Sequence, residues 1–161
     1  MTSGAIISEC GTYRYRLWRQ WGDGPSCTFV MLNPSTADAE QDDPTIRRCR
    51  KFAERAGCGR LDVVNLFAYR ATDPKVMMRA DDPVGPLNDW HIVDATKGAG
   101  LVIAAWGMAG FFMGRGNYVR WRLGGANWRC FKIVSNGEPI HPLYQSADQP
   151  LVRLPAIEDA A

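Results

Sequence analysis

Three polar side chains in this sequence have the types and positions to act together on one small ligand: Asn33, Asn65 and His141. Asn33 directly follows a short apolar run, Asn65 lies near the end of a second, and His141 stands in the loop after another. An amide offers donors and an acceptor, and a neutral imidazole offers one of each. Such a set can pair with the edge of a planar heterocycle and hold a water molecule.

Each of these residues also has an interpretation that needs no ligand. Asn33-Pro34-Ser35-Thr36 matches a helix N-cap with proline at the first helical position, which is the more frequent use of such a segment. As a binding segment, its amide and free N–H groups would hold a water or an anion, with Ser35 beside them. Asn65 either bonds neighbouring backbone or reads a planar ligand edge. His141 is either a solvated loop residue or a donor held between two prolines.

A second group of residues has weaker signals. Arg70 either pairs with a surface carboxylate or anchors a phosphate, beside Phe67 and Tyr69 as stacking aromatics. Tyr144, in the same loop as His141, is a further substrate-binding residue. Asp43 is also predicted to be a substrate-binding residue; its cap role is the best-supported one, although a general base or a Mg²⁺ ligand is consistent with its type.

Other charged and imidazole side chains are interpreted as structural. His91 sits in a predicted helix beside Trp90. Arg14, Arg16 and Arg19 are predicted to decorate an edge strand, where charge deters edge-to-edge pairing.

Four continuous apolar runs must position these residues: 27–32, 61–66, 101–106 and 130–134. Continuous runs are typical of strands buried on both faces, and starts 29 to 40 residues apart suit parallel strands joined by crossover helices. Helices are predicted at about 44–56, 86–97 and 117–123. The alternating segment 13–21 is predicted to be an antiparallel edge strand in a hairpin with the first parallel strand.

The predicted fold is therefore α/β: a three-layer α/β/α sandwich with a four-stranded parallel sheet plus an N-terminal antiparallel edge strand. In open parallel sheets, ligands bind beyond the carboxyl ends of the strands, which is where Asn33, Asn65 and His141 stand. The chain is expected to form a single domain over residues 1–161, with its core at about 10–155.

Composition excludes several classes of function. Nineteen basic and seventeen acidic side chains leave a net charge of +2, which is too small for a uniformly basic nucleic-acid coat. Two histidines and five cysteines without a C-x-x-C pair argue against a histidine triad, a metal cage or a disulfide framework. We expect a reduced, cytoplasmic, soluble protein without a cofactor or metal, since neither a secretory signal nor a membrane span is visible.

The sequence resembles a bacterial and phage domain family of unknown function. The blocks that carry the resemblance are MLNPSTADAEQDDPTIRRC, VVNLFAYRATDP, DPVGPLND, AAWG and GEPIHPLY. The layout is also distantly similar to the uracil-DNA glycosylase superfamily. That resemblance implies that Asn33 holds the attacking water, that Asn65 reads the base and that His141 binds the base carbonyl. Leu143 stands where that superfamily has a serine, which removes a phosphate contact.

Three functions remain open on these grounds. The first is a nucleobase-recognising, glycosylase-like protein that cleaves the N-glycosidic bond of a damaged or modified base in DNA. The second is an enzyme that acts on free nucleotides or modified nucleosides. The third is a non-catalytic module that binds a nucleotide or nucleic acid. A nucleic-acid or nucleotide partner is expected, a membrane partner is not, and the oligomeric state is left open.

Overall fold

The computed structural model describes residues 1–156, so residues 157–161 of the predicted domain lie outside it. Within that range the chain forms seven strands: β1 (Thr2–Ile7), β2 (Arg14–Gln20), β3 (Ser26–Met31), β4 (Arg60–Asn65), β5 (Leu101–Ala104), β6 (Trp128–Cys130) and β7 (Val152–Arg153). The same residues form four α-helices: α1 (Pro44–Arg55), α2 (Pro74–Met78), α3 (Asn88–Thr96) and α4 (Arg115–Arg122). None of these helices is long and apolar enough to cross a lipid bilayer.

All seven strands belong to one mixed sheet in the order β1-β2-β4-β3-β5-β6-β7. β3 pairs in parallel with β4 and with β5, and β5 pairs in parallel with β6; the other three pairings are antiparallel. The α/β class is therefore confirmed, but the sheet is larger and more mixed than predicted. Both β1 and β7 were missed, and the strand predicted at 130–134 lies instead at Trp128–Cys130, so the two ranges share one residue.

The predicted hairpin between the segment 13–21 and the first parallel strand is wrong. β2 pairs with β1 on one side and with β4 on the other, so it is neither an edge strand nor a neighbour of β3. The arginines of β2 therefore do not serve to prevent edge-to-edge pairing, contrary to the prediction. Arg16 forms ion pairs with Asp62 and Asp94, and Arg19 pairs with Asp42 and also donates to the carbonyl oxygen of Asp38.

Strand residues alternate between two cores, one on each face of the sheet. Phe29 and Val63 pack on the face covered by α1, whereas Val30 and Val64 pack on the face that carries Ile92 of α3. Helix α1 follows its sequence signals: Asp43 caps it by accepting from the N–H of Ile46, and proline occupies its first turn. The sheet is thus covered by helices on both faces, as predicted.

A bulge in β2 decides which face Arg14 occupies. Ile6 pairs with Arg16 and Ile7 pairs with Arg14, so Tyr15 is an extra residue opposite that step. The Tyr15 ring stacks on His91 of α3, on the same face as the Arg16 ion pairs. Arg14 is thereby turned to the α1 face, where its guanidinium donates to Ala37.

Candidate functional site

A cavity of about 450 Å³ opens at the carboxyl ends of β3 and β4, on the α1 face of the sheet. Asn33, Asn65 and His141 all line it, so the three residues singled out first are brought together. The remaining lining residues come from the strand ends, the start of α1 and the later loops: Arg14, Met31, Leu32, Ser35, Asp43, Thr45, Ile46, Val63, Ala71, Thr72, Pro74, Trp106, Leu143 and Tyr144. Six of the nine predicted site residues therefore lie around one space.

Asn65 is the most unusual member of the cavity. It is the last residue of β4 and is only 1% exposed, yet neither its amide nitrogen nor its amide oxygen has a hydrogen-bond partner within residues 1–156. Its backbone is held from behind, because the side chain of Asn88 donates to its carbonyl oxygen over 2.9 Å. An unpaired buried polar group costs about 1–3 kcal/mol. A ligand that pairs with this amide would remove that cost.

Asn33 is fixed by the loop that follows β4. Its amide nitrogen donates to the carbonyl oxygen of Ala71 over 2.8 Å and to that of Pro34 over 3.3 Å. Because both donors face carbonyls, the amide oxygen is left as an acceptor. Ser35 and Thr72 are joined by a second side-chain contact between the same two loops, at 3.3 Å. The interpretation of Asn33 as a helix N-cap does not hold, since α1 begins only at Pro44.

His141 is held in one tautomer by its own loop. Its Nδ1 accepts a hydrogen bond from the N–H of Leu143 over 3.1 Å, so the proton of the neutral ring resides on Nε2. Burial lowers the pKa of His141 below its ordinary value, and the Asp43 carboxylate only partly opposes that shift. The loop is anchored to the end of β5 because Gly107, at φ +79°, donates to the carbonyl oxygen of Pro139. The side chain is therefore a neutral donor near neutral pH.

Asp43 combines its predicted cap role with a place in the cavity. One carboxylate oxygen accepts from the N–H of Ile46 over 2.9 Å. The side chain also lines the cavity. The cavity thus contains a carboxylate able to accept a proton or a donor from a ligand.

Arg14 is a cavity residue that sequence reasoning missed. It is 2% exposed, its Nη1 donates to the carbonyl of Ala37 over 2.9 Å, and its Nε has no partner within residues 1–156. Burial lowers the pKa of Arg14 to about 10, with the Asp43 carboxylate opposing the shift, so the guanidinium stays charged. Strict alternation in the segment 13–21 places Arg14 with Arg16, and only the bulge separates them.

Three predicted site residues lie away from the cavity. Phe67 is fully buried in the core on the opposite face of the sheet, where its ring packs on Phe112. Tyr69 forms an isolated bridge with Tyr13, and the Arg70 guanidinium reaches the carbonyl oxygen of Gly11. Because the chain turns to the other face directly after Asn65, none of the three lines the space occupied by the two asparagines.

Tyr144 lies at the edge of the cavity, whereas His91 lies in a helix, as predicted. Tyr144 is 81% exposed at the rim of the cavity, with its ring centre 6.1 Å from that of His141. His91 is buried in α3 and stacks on Tyr15, away from the cavity. Among residues 1–156, no cluster of three or more His, Cys, Asp or Glu side chains is arranged to hold a metal ion.

A family model matches residues 14–143, and its description is "protein of unknown function (DUF1643)". The chain has no significant match among curated proteins or among solved structures. The matched segment begins at Arg14 and ends at Leu143, so it includes every cavity-lining residue except Tyr144. Because the match covers most of the chain, the protein belongs to the family described as protein of unknown function (DUF1643).

Proposed function

We propose that the protein binds a nucleobase in this cavity and cleaves its N-glycosidic bond. The observation that carries the proposal is the Asn65 amide, buried at the end of β4 with neither its donor nor its acceptor paired to any group of residues 1–156. A pyrimidine or purine edge offers the complementary acceptor and donor side by side, as in the pairing of asparagine with bases. A cavity of about 450 Å³ lies within the usual range for small-ligand sites.

Bond cleavage requires stabilisation of the departing base. As the bond from C1′ to the base nitrogen breaks, its electron pair stays on the base and the sugar becomes cationic. The Nε2–H of neutral His141 is the donor for the base oxygen on which negative charge develops. A preorganised donor of this kind contributes about 3–4 kcal/mol to lowering a barrier.

The attacking water needs an acceptor and a base. Asn33 supplies an amide oxygen whose direction is set by the two hydrogen bonds of its nitrogen. Asp43 supplies a carboxylate in the same cavity, and we propose that it takes the proton as the water oxygen bonds to C1′. That proton then neutralises the departed base, so that the products are the free base and the sugar hydroxyl.

The resemblance to the uracil-DNA glycosylase superfamily supports this assignment, because it aligns Asn33, Asn65 and His141 with the water-holding, base-reading and carbonyl-binding positions. DNA is the first substrate to test for that reason. One observation favours free nucleotides or modified nucleosides as a second candidate: apolar Leu143 lines the cavity where the superfamily has a phosphate-binding serine.

The test is base excision from oligonucleotides that carry uracil, hypoxanthine or hydroxymethyluracil, followed by alkaline cleavage of abasic sites. Free nucleosides and nucleotides are incubated in parallel, and released base is measured by chromatography. We expect base release from at least one substrate and its loss in Asn65→Asp, which exchanges an amide donor for an acceptor.

Asn117→Asp is the matched control, since Asn117 is an exposed residue of α4. Loss of activity in both variants, or no release from any substrate while a control glycosylase is fully active, contradicts the proposal. Binding of bases without release would instead identify a non-catalytic module.

A further inference from the structure

We propose that Arg14 binds the anionic edge of a nucleobase on the floor of the cavity, so that the site prefers a base monoanion to the neutral base. This inference rests on the proposed function, because it names the charge state of the ligand for the same cavity. It concerns binding, however, and it is tested without turnover.

The placement of Arg14 is the first support. The bulge at Tyr15 turns the side chain away from Arg16 and onto the α1 face, which is the face from which Asn65 lines the cavity. A β-bulge is a device that re-aims a side chain, and bulges concentrate beside functional sites. A strand with regular alternation would have placed this guanidinium on the opposite face.

The hydrogen bonding of Arg14 is the second support. A guanidinium has five N–H donors in a fixed fork, and its Nε edge suits a pair of acceptors in one plane. In Arg14 the donor Nη1 is used by the carbonyl of Ala37, whereas Nε is buried and has no partner within residues 1–156. The unused edge matches the planar acceptors of a base rather than a single carbonyl.

The charge of Arg14 is the third support. Within the described part of the chain Arg14 forms no ion pair, although it is almost fully buried. A buried charge that lacks a hydrogen-bonded counter-charge is unfavourable, and the Asp43 carboxylate acts on Arg14 only through space. A ligand that brings negative charge to the Nε edge would compensate this cost.

The other charged groups around the cavity select the kind of anion. Asp43 contributes one negative charge to the same space, and His141 is neutral. A phosphate dianion would face the Asp43 carboxylate, whereas a base monoanion spreads one charge over its ring. The proposed reaction generates such a monoanion when the glycosidic electron pair stays on the base.

The experiment compares dissociation constants of free bases near neutral pH by calorimetry. The probes are two pairs that differ in acidity: uracil with 5-nitrouracil, whose nitro group makes it a monoanion, and hypoxanthine with the more acidic xanthine. Inorganic phosphate is titrated as the alternative anion. We expect the wild-type chain to bind the acidic member of at least one pair about tenfold more tightly than its partner.

Arg14→Gln should abolish that preference while the neutral base still binds through Asn65 and His141. Arg14→Lys keeps the charge but lacks the planar fork, so it should retain part of the preference for the acidic base. It also provides a more conservative variant with which to measure that preference if Arg14→Gln does not fold. Lys51→Gln removes one exposed positive charge of α1 and is the matched control.

Three results would overturn the inference: an equal preference in the wild-type chain and Arg14→Gln, tighter binding of phosphate than of any base, or no binding of any probe. If Arg14→Gln does not fold, full retention of the preference in a folded Arg14→Lys would likewise contradict the role of the fork. Absence of base release together with an Arg14-dependent anion preference would contradict the proposed hydrolysis and leave this inference standing.

Discussion

The side-chain amide of Asn33 donates to the carbonyl oxygen of Ala71 over 2.8 Å, and this contact ties the loop after β3 to the loop after β4. The backbone supports the same junction, because Ala71 donates its N–H to the carbonyl oxygen of Pro34. Asn33 therefore has two tasks: its nitrogen joins the loops that form one side of the cavity, and its oxygen is left for a ligand or water.

Asn33→Ala should lose catalysis more than ligand binding. The substitution removes the acceptor proposed to hold water, whereas Asn65 still pairs with the base. We expect kcat to fall by at least about a hundredfold, as for loss of a positioned polar group, with base affinity within about threefold. The lost bond to Ala71 should cost about 0.5–1.5 kcal/mol of unfolding free energy. Urea unfolding, base calorimetry and turnover measure the three quantities, and a parallel fall in affinity and kcat would assign Asn33 to binding.

Asn65→Leu should stabilise the ligand-free protein and abolish base binding. The amide is buried and has no hydrogen-bond partner in the part of the chain that the structure describes, so an apolar side chain of similar volume removes an unfavourable group worth about 1–3 kcal/mol. Asn88→Leu is the matched control, because the amide nitrogen of this equally buried asparagine donates to the carbonyls of Asn65 and Leu66. In urea unfolding, we expect Asn65→Leu to raise the free energy of unfolding and Asn88→Leu to lower it. Destabilisation by Asn65→Leu would show that the amide already has a structural partner.

Because of His141, the protein should become less stable as the pH falls below the ordinary histidine pKa of 6.5. Burial lowers the pKa of His141 in the folded state, so the unfolded chain binds its proton first as the solution is acidified. The contribution of the neutral His141 side chain to the free energy of unfolding is complete above pH 6.5 and is lost as the pH falls toward the lower pKa that His141 has in the folded state. His141→Gln should flatten that part of the stability curve. An NMR titration that places the folded pKa of His141 above 6.5 would contradict the prediction.

Tyr144→Ala should weaken binding of a base without destabilising the fold. The ring is 81% exposed at the rim of the cavity, so little packing is lost when it is removed. Stacking of a base on an aromatic ring contributes about 1–3 kcal/mol. We expect the dissociation constant to rise tenfold or more, since about 1.4 kcal/mol of binding energy corresponds to a factor of ten. The free energy of unfolding in urea should not change. Phe67→Leu should show the reverse pattern, since Phe67 is buried in the core away from the cavity.

Local patterns of the sequence determined the parts of the site that depend on neighbouring residues. Asp43 followed by Pro44 predicts the start of α1, and the capping bond to Ile46 forms. Asn33 and His141 follow predicted strands and Asn65 lies near the end of one, and the carboxyl ends of parallel strands meet at one edge of a sheet. Their convergence on one cavity could therefore be predicted from the sequence, as could a central parallel sheet built from the apolar runs.

Only the tertiary structure decided which side chains share the cavity beyond these. Arg14 reaches it because pairing between β1 and β2 leaves Tyr15 as an extra residue, and a bulge of this kind has no signal in an alternating segment. Phe67 leaves it because the chain crosses to the other core after Asn65. Both outcomes depend on contacts between segments far apart in the chain. A local pattern specifies the period of a strand, whereas its partners specify the register and hence the face on which each side chain lies.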